Sequence, residues 1–122
     1  MRRFTLLAAV VLVGVGASLS VPGLAGASVR GARATTTVTV KASEFKFVLS
    51  KTVVPKGTVV FKVTNVGKLA HDFKIAGKKT PLIQPQKAAT LSVAFAKAGT
   101  YPYSCTVKGH AAAGMKGVLT VK

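Results

Sequence analysis

The chain has 122 residues, and its 18 lysines and arginines far outnumber its 2 acidic residues. This length suits one compact domain and excludes two domains of ordinary size. There is a single cysteine, which excludes the intramolecular disulfides on which small exported proteins often rely. Cys105 is therefore an inert buried residue, an intermolecular link or a functional thiolate.

The N-terminal segment has the order of parts of a secretory signal peptide. Two arginines follow Met1, an apolar run covers residues 4–15, Pro22 breaks the pattern, and small residues occupy positions 25–27. We predict a signal peptide at residues 1–27 and an exported protein that is periplasmic, bound at the cell surface or extracellular. The alternative is an uncleaved membrane anchor, which is less favoured because the run is short for a span of about 20 residues.

The remaining basic residues are spread along the chain instead of being clustered. From Lys41 to Lys122 the lysines stand singly among apolar residues, and only Lys78 and Lys79 are adjacent. This distribution is typical of the solvated faces of strands, so we predict no nucleic-acid partner. Two other interpretations of the charge stay open: docking on an acidic partner, and peripheral contact with an anionic membrane or wall surface.

Residues 28–35 are predicted to form a flexible lead-in, and residues 36–122 the folded domain. Apolar and polar residues alternate in this domain with the period of half-buried strands, in runs at residues 38–40, 45–49, 59–63, 91–95, 101–105 and 118–121. Turn-forming residues separate the runs, and helical turns are left open only at residues 68–76 and 84–89. The spacing predicts an all-β fold, an antiparallel sandwich.

The residues able to bind a soft metal ion are few and close together. Outside the predicted signal peptide, the chain has one cysteine, one methionine and two histidines: Cys105, Met115, His71 and His110. Three of them form the pattern Cys-x4-His-x4-Met, and His71 lies upstream, near the edge of a predicted strand. Gly109 and Gly114 allow the segment between them to turn tightly. Each residue alone has an ordinary structural explanation, but their joint spacing favours a metal site.

One thiolate, two imidazoles and one thioether suit a copper ion, with the thioether as a weak axial ligand. Structural zinc sites use cysteine and histidine without a thioether, and a multinuclear copper cluster needs more histidines than this chain has. We therefore predict one copper ion that cycles between Cu(I) and Cu(II), and a one-electron carrier instead of an enzyme. The alternatives are a copper storage or delivery protein and a metal-free structural sandwich.

Two segments resemble the cupredoxin family of blue copper proteins. Residues 101–121 are similar to its last strands and ligand loop, and residues 63–73 to the strand and turn that carry its first histidine. The ligand spacing is closer to auracyanin-like and rusticyanin-like members than to plastocyanins. The resemblance covers residues 36–122.

The resemblance implies a Greek-key sandwich that acts as a monomer with redox partner proteins. The positive charge of this chain predicts that those partners present an acidic docking face. It implies that His71, Cys105 and His110 are the strong ligands and Met115 the axial one. Relatives commonly have Asn where this chain has Asp72, and by analogy Asp72 would bond near Thr106 and hold the loop rigid. Residues 111–113 would form an apolar patch around His110.

Overall fold

The computed structural model describes Gly16 and residues 34–122. The predicted signal peptide and most of the predicted lead-in lie outside the described residues, so both stay predictions. Among the residues that are described, no helix is both long and apolar enough to cross a membrane.

Nine strands account for most of the regular structure. They are β1 (Thr36–Ser43), β2 (Lys46–Leu49), β3 (Val53–Val54), β4 (Gly57–Asn65), β5 (Lys74–Ile75), β6 (Lys78–Lys79), β7 (Ala88–Phe95), β8 (Gly99–Ser104) and β9 (Lys116–Val121). One sheet has the order β2-β1-β4-β7, and the other has the order β3-β9-β8-β5-β6. The chain crosses repeatedly between the two sheets, as in Greek-key sandwiches.

Strand alternation explains which side chains form the core. In β4, Val59, Phe61 and Val63 are buried, while Lys62 between them is exposed. Successive side chains of a strand point to opposite faces, so one face of each long strand packs inward. Each large apolar side chain that is fully buried stabilises the folded state by about 1.5–3 kcal/mol relative to its exposure in water.

Aromatic side chains join the two sheets across the core. The rings of Phe61 and Phe73 lie 5.1 Å apart, and those of Phe47 and Tyr103 lie 5.8 Å apart. These separations are typical of favourable edge and tilted contacts. The end of the sandwich at which β8 stops and β9 begins is left to loops, and these loops carry the candidate ligands.

The predicted all-β sandwich is confirmed, and the described residues contain no helix. One detail differs, because β1 pairs with β4 and β3 with β9 in parallel, while the other named pairs are antiparallel. Between β1 and β4 the chain passes through β3, in the other sheet, and returns in the same direction. Alternation identifies the buried face of a strand but carries no information on its direction.

The residue Phe45 also differs from its predicted place in a strand run. It lies in the turn between β1 and β2, and its side chain is 39% exposed. This turn sits over the candidate ligands.

Candidate metal centre

Three of the four predicted ligands converge at one end of the sandwich. The Nδ1 atoms of His71 and His110 are 3.1 Å apart, and Cys105 Sγ is 3.6 Å from His110 Nδ1. One ligand atom from each residue can be chosen so that all three lie within 4.8 Å of one another, and all three residues are buried. In the sequence His71 is distant from the other two, so only the fold brings this set together.

His71 is held in place by backbone hydrogen bonds. It forms an isolated bridge with Ile83, in which each residue's N–H donates to the other's carbonyl oxygen, at 3.1 and 2.7 Å. The fully buried Asn65 supports the preceding turn, because its amide donates to the carbonyl oxygens of Leu69 and Ile83. Its Oδ1 accepts the N–H of Gly67. The turn before His71 is therefore fixed by hydrogen bonds to a buried side chain.

Cys105, His110 and Met115 occupy the loop between β8 and β9. The Cys105 N–H donates to the Met115 carbonyl and the Met115 N–H to the His110 carbonyl, both at 3.1 Å. Gly109 and Gly114 have φ values of 83° and 113°, which side chains other than glycine rarely adopt. Met115 is fully buried at the end of this loop. Short spacing and backbone bonds thus bring the three residues to one place.

Asp72 connects the two ligand segments, which are the turn that ends at His71 and the loop that carries Cys105, His110 and Met115. The N–H of Thr106 donates to Asp72 Oδ1 at 2.6 Å, and the Thr106 hydroxyl donates to Asp72 Oδ2. The predicted bond between Asp72 and the segment after the cysteine is confirmed. Two donors satisfy the largely buried carboxylate, so the departure from Asn does not leave an unpaired charge.

Glu44 is a residue of this site that the sequence analysis missed. It lies at the tip of the β1–β2 turn, and its Oε1 accepts the N–H groups of Lys68 and Leu69, both at 2.7 Å. The same oxygen is 3.3 Å from Nε2 of His71. The hydrogen bond from the Leu69 N–H, followed by smaller contributions from the backbone of Glu44 itself and of Lys68, lowers the pKa of the Glu44 carboxyl from 4.5 to about 2. The signal available in the sequence was its rarity, as one of only 2 acidic residues.

Burial raises the pKa of the Cys105 thiol above 9.0. The metal-free protein therefore keeps this sulfur protonated at neutral pH. A metal ion binds the thiolate, so its binding must displace the proton.

The spacing of these atoms fits a small metal ion. Bonds of about 2.0 Å to nitrogen and about 2.3 Å to sulfur place ligand atoms of a trigonal plane roughly 3–4 Å apart. Two of the three separations, from His110 Nδ1 to His71 Nδ1 and to Cys105 Sγ, fall in this range at 3.1 and 3.6 Å. One ligand atom from each of the three residues lies within 4.8 Å of the others. The donor chemistry agrees with the copper cofactor that the sequence predicts.

Of the four predicted ligands, His110 is the most accessible, with 8% of its surface exposed. Ala112 and Ala113 of the predicted patch are exposed and Ala111 is half-buried. Four larger apolar side chains on loops of the domain are also exposed: Phe45, Val66, Leu69 and Leu82.

Comparisons with known proteins agree with this architecture. Auracyanin A, a "blue" copper protein from Chloroflexus aurantiacus, is 22% identical over 73% of this chain and 100% of its own, with a TM-score of 0.64. Rusticyanin from Thiobacillus ferrooxidans is 26% identical over 72% of this chain and 77% of its own, with a TM-score of 0.62.

Copper nitrite reductase from Nitrosomonas europaea is 20% identical over 73% of this chain but only 42% of its own, with a TM-score of 0.60. The fold therefore occurs in an enzyme as well, and fold alone does not assign a function. A search of curated protein sequences finds no match. The sequence profile of the cupredoxin-like domain covers residues 6–121. The chain belongs to this family of cupredoxin-like domains.

Proposed function

We propose that this protein is an exported one-electron carrier whose single copper ion is held by His71, Cys105, His110 and Met115. The observation that supports this most strongly is the convergence of one thiol and two imidazole nitrogens within 4.8 Å. Met115 would supply the weak axial ligand from the end of the same loop. Bound copper would supply a one-electron change between Cu(I) and Cu(II).

The protein's own residues would keep the site rigid during this change. The Asp72–Thr106 bonds join the two ligand segments, and Asn65 and the Ile83 bridge fix the turn before His71. Ligands that scarcely move make electron transfer fast, because little reorganisation accompanies it. Because Cys105 and Met115 are buried, they would keep water away from a bound ion.

His110 offers the route by which electrons would enter and leave. Its ring is the ligand with the most surface exposure, and the exposed ring of Phe45 packs edge-on against it at 5.0 Å. An apolar surface around His110 would let a redox partner approach closely without displacing tightly bound water. We expect the protein to act there as a monomer with partner proteins.

The partners are expected to present an acidic face. Every lysine of the described domain is exposed, and the chain carries a formal net charge of +16. Such a field steers an acidic partner, and salt screens it within about 10 Å at 0.1 M ionic strength. Electron-exchange rates should therefore fall as ionic strength rises; rates that stay constant would exclude electrostatic docking. The same charge would favour peripheral contact with an anionic membrane or wall surface.

The proposal is tested by loading the purified protein with Cu(II). We expect an intense blue colour that disappears on reduction, and the small copper hyperfine splitting of a type 1 centre. A Cys105→Ser variant should lose the colour and keep the circular dichroism of the sandwich. Colourless copper-loaded wild type would contradict the electron-carrier assignment and favour copper storage or delivery. Unchanged absorption in Cys105→Ser would contradict the thiolate ligand.

A further inference from the structure

The two acidic side chains of this basic chain both lie at the candidate metal centre. Asp72 follows His71 directly and bonds to the loop that carries Cys105. Glu44 lies in the distant β1–β2 turn and contacts the His71 ring. Within residues 34–122, the basic side chain that the Glu44 carboxylate contacts is His71 and not a lysine. In a chain so rich in lysine, this placement points to a role for the Glu44 charge at the site.

The contacts of Glu44 are specific to one oxygen. Its Oε1 faces three nitrogen atoms: the backbone nitrogens of Lys68 and Leu69 at 2.7 Å, and Nε2 of His71 at 3.3 Å. The two amides belong to the turn that ends at His71. The carboxylate therefore fixes both this turn and the far edge of the imidazole.

Gly67 shows that the backbone leaves room for this carboxylate. A Cβ atom at Gly67 would lie 2.5 Å from Glu44 Oε1 and 2.7 Å from Oε2, closer than unbonded atoms approach. Any larger residue at position 67 would have to displace Glu44. The turn and the carboxylate are thus built to fit one another.

Imidazole chemistry gives this contact a consequence for the metal. A neutral histidine carries its proton on one ring nitrogen and a lone pair on the other. A carboxylate at Nε2 stabilises the tautomer with the proton there, which leaves the Nδ1 lone pair free. Nδ1 of His71 is the atom that lies 3.1 Å from Nδ1 of His110, on the side of the candidate metal centre.

The neighbouring residue contacts the other histidine. The Phe45 ring packs edge-on against the His110 ring, with centroids 5.0 Å apart and planes at 70°. The tip of the β1–β2 turn thus contacts both imidazoles, although neither Glu44 nor Phe45 belongs to a ligand segment.

We propose that Glu44 is a positioning residue of this centre, which selects the metal-binding tautomer of His71 and places a negative charge beside it. The metal part of this inference rests on the copper site proposed above. A carboxylate near the ion favours the more highly charged Cu(II) over Cu(I), so Glu44 lowers the reduction potential.

The first test uses metal-free protein and nitrogen-15 NMR of the histidine rings. Spectra are recorded at about pH 8, above the ordinary histidine pKa of about 6.5. In wild type and Glu44→Gln, which keeps an acceptor oxygen, we expect His71 to carry its proton on Nε2. In Glu44→Ala we expect a mixture of the two tautomers.

The second test measures the reduction potential of the copper-loaded proteins. Glu44→Gln keeps the shape and removes the charge, so it should raise the potential. The matched control is Ser92→Lys, which makes the same change in net charge on an exposed position of β7 and should shift the potential less. Glu44→Ala should also weaken copper binding by about 10–100-fold, as is common when the partner of a metal-bound histidine is lost.

The proposal requires both results. It is overturned if Glu44→Ala keeps the wild-type tautomer of His71, or if Glu44→Gln shifts the potential no more than Ser92→Lys. If wild type binds no copper, the proposed function fails, and the metal-free NMR comparison still decides whether Glu44 selects the tautomer. The Gln variant keeps the test valid if the Ala variant does not fold.

Discussion

The sandwich body and its metal-site end are stabilised in different ways. In the body, strands such as β1 alternate buried apolar residues with exposed threonine or lysine, and no carboxylate is present. At the metal-site end, loops replace strands, and most of the side-chain hydrogen bonds of the described residues are found there. Glu44, Asn65 and Asp72 accept or donate nearly all of these bonds.

This difference follows from what each region must do. Burial of apolar area is non-directional and tolerates many side chains of suitable size. A metal site needs ligand atoms at fixed positions, which directional bonds to defined partners can hold. Mutations in the body should therefore change stability while leaving the site intact, and mutations at the metal-site end should change the site at a smaller cost in stability.

The largest loss of stability is expected for a core truncation in the body. Phe61→Ala should lower the free energy of unfolding by about 3–5 kcal/mol, because it removes a fully buried ring and leaves a cavity. Denaturant unfolding of the metal-free protein measures this. The molecules that remain folded should bind copper with an unchanged spectrum.

The adjacent outward position supplies the control for this experiment. Lys62→Ala should change the free energy of unfolding by less than about 0.5 kcal/mol, because Lys62 is exposed. If the copper spectrum of Phe61→Ala changed as much as that of a variant in the β8–β9 loop, the sandwich body and the metal-site end would not be independent.

A smaller loss of stability with a larger effect on the site is expected at Asp72. Asp72→Ala removes both hydrogen bonds to Thr106. It should lower the free energy of unfolding by about 1–3 kcal/mol. Copper affinity should fall by about 10–100-fold, because the ligand segments are no longer joined. Thr106→Val keeps the backbone N–H donor and loses only the hydroxyl, so it should lie between wild type and Asp72→Ala in both measurements. Equal effects of the two variants would show that the hydroxyl alone carries the tie.

The smallest effect is a pH dependence that is absent near neutrality. Burial raises the pKa of Cys105 above its ordinary value of 9.0 and that of Tyr103 above 10.0. Above pH 9 the unfolded thiol ionises while the folded thiol stays protonated. The unfolded state then binds fewer protons, and stability falls as pH rises.

Unfolding of the metal-free protein between pH 7 and 11 measures this fall. Cys105→Ser should remove the part that begins near pH 9 and keep the part that Tyr103 contributes from about pH 10. A decline from pH 9 that persists in the serine variant would exclude Cys105 as its source.

Local pattern was sufficient to predict much of this molecule. Alternation identified the buried faces of β1 and β4, because side chains of a strand alternate whatever its partner is. The ligand loop was predictable because Cys105, His110 and Met115 lie close in sequence and the chain itself holds them together. The bond between Asp72 and Thr106 was predicted by analogy with the family and is confirmed.

The sequence by itself determined a small all-β sandwich and the identity of the candidate soft ligands, since period and composition are properties of the chain. Only the tertiary structure decided the parallel pairing of β1 with β4 and the approach of Glu44 to His71. Glu44 and His71 are separated by 27 residues, and no local pattern links them. Their contact depends on how the β1–β2 turn lies over the turn before His71, which is fixed by the packing of the whole sandwich.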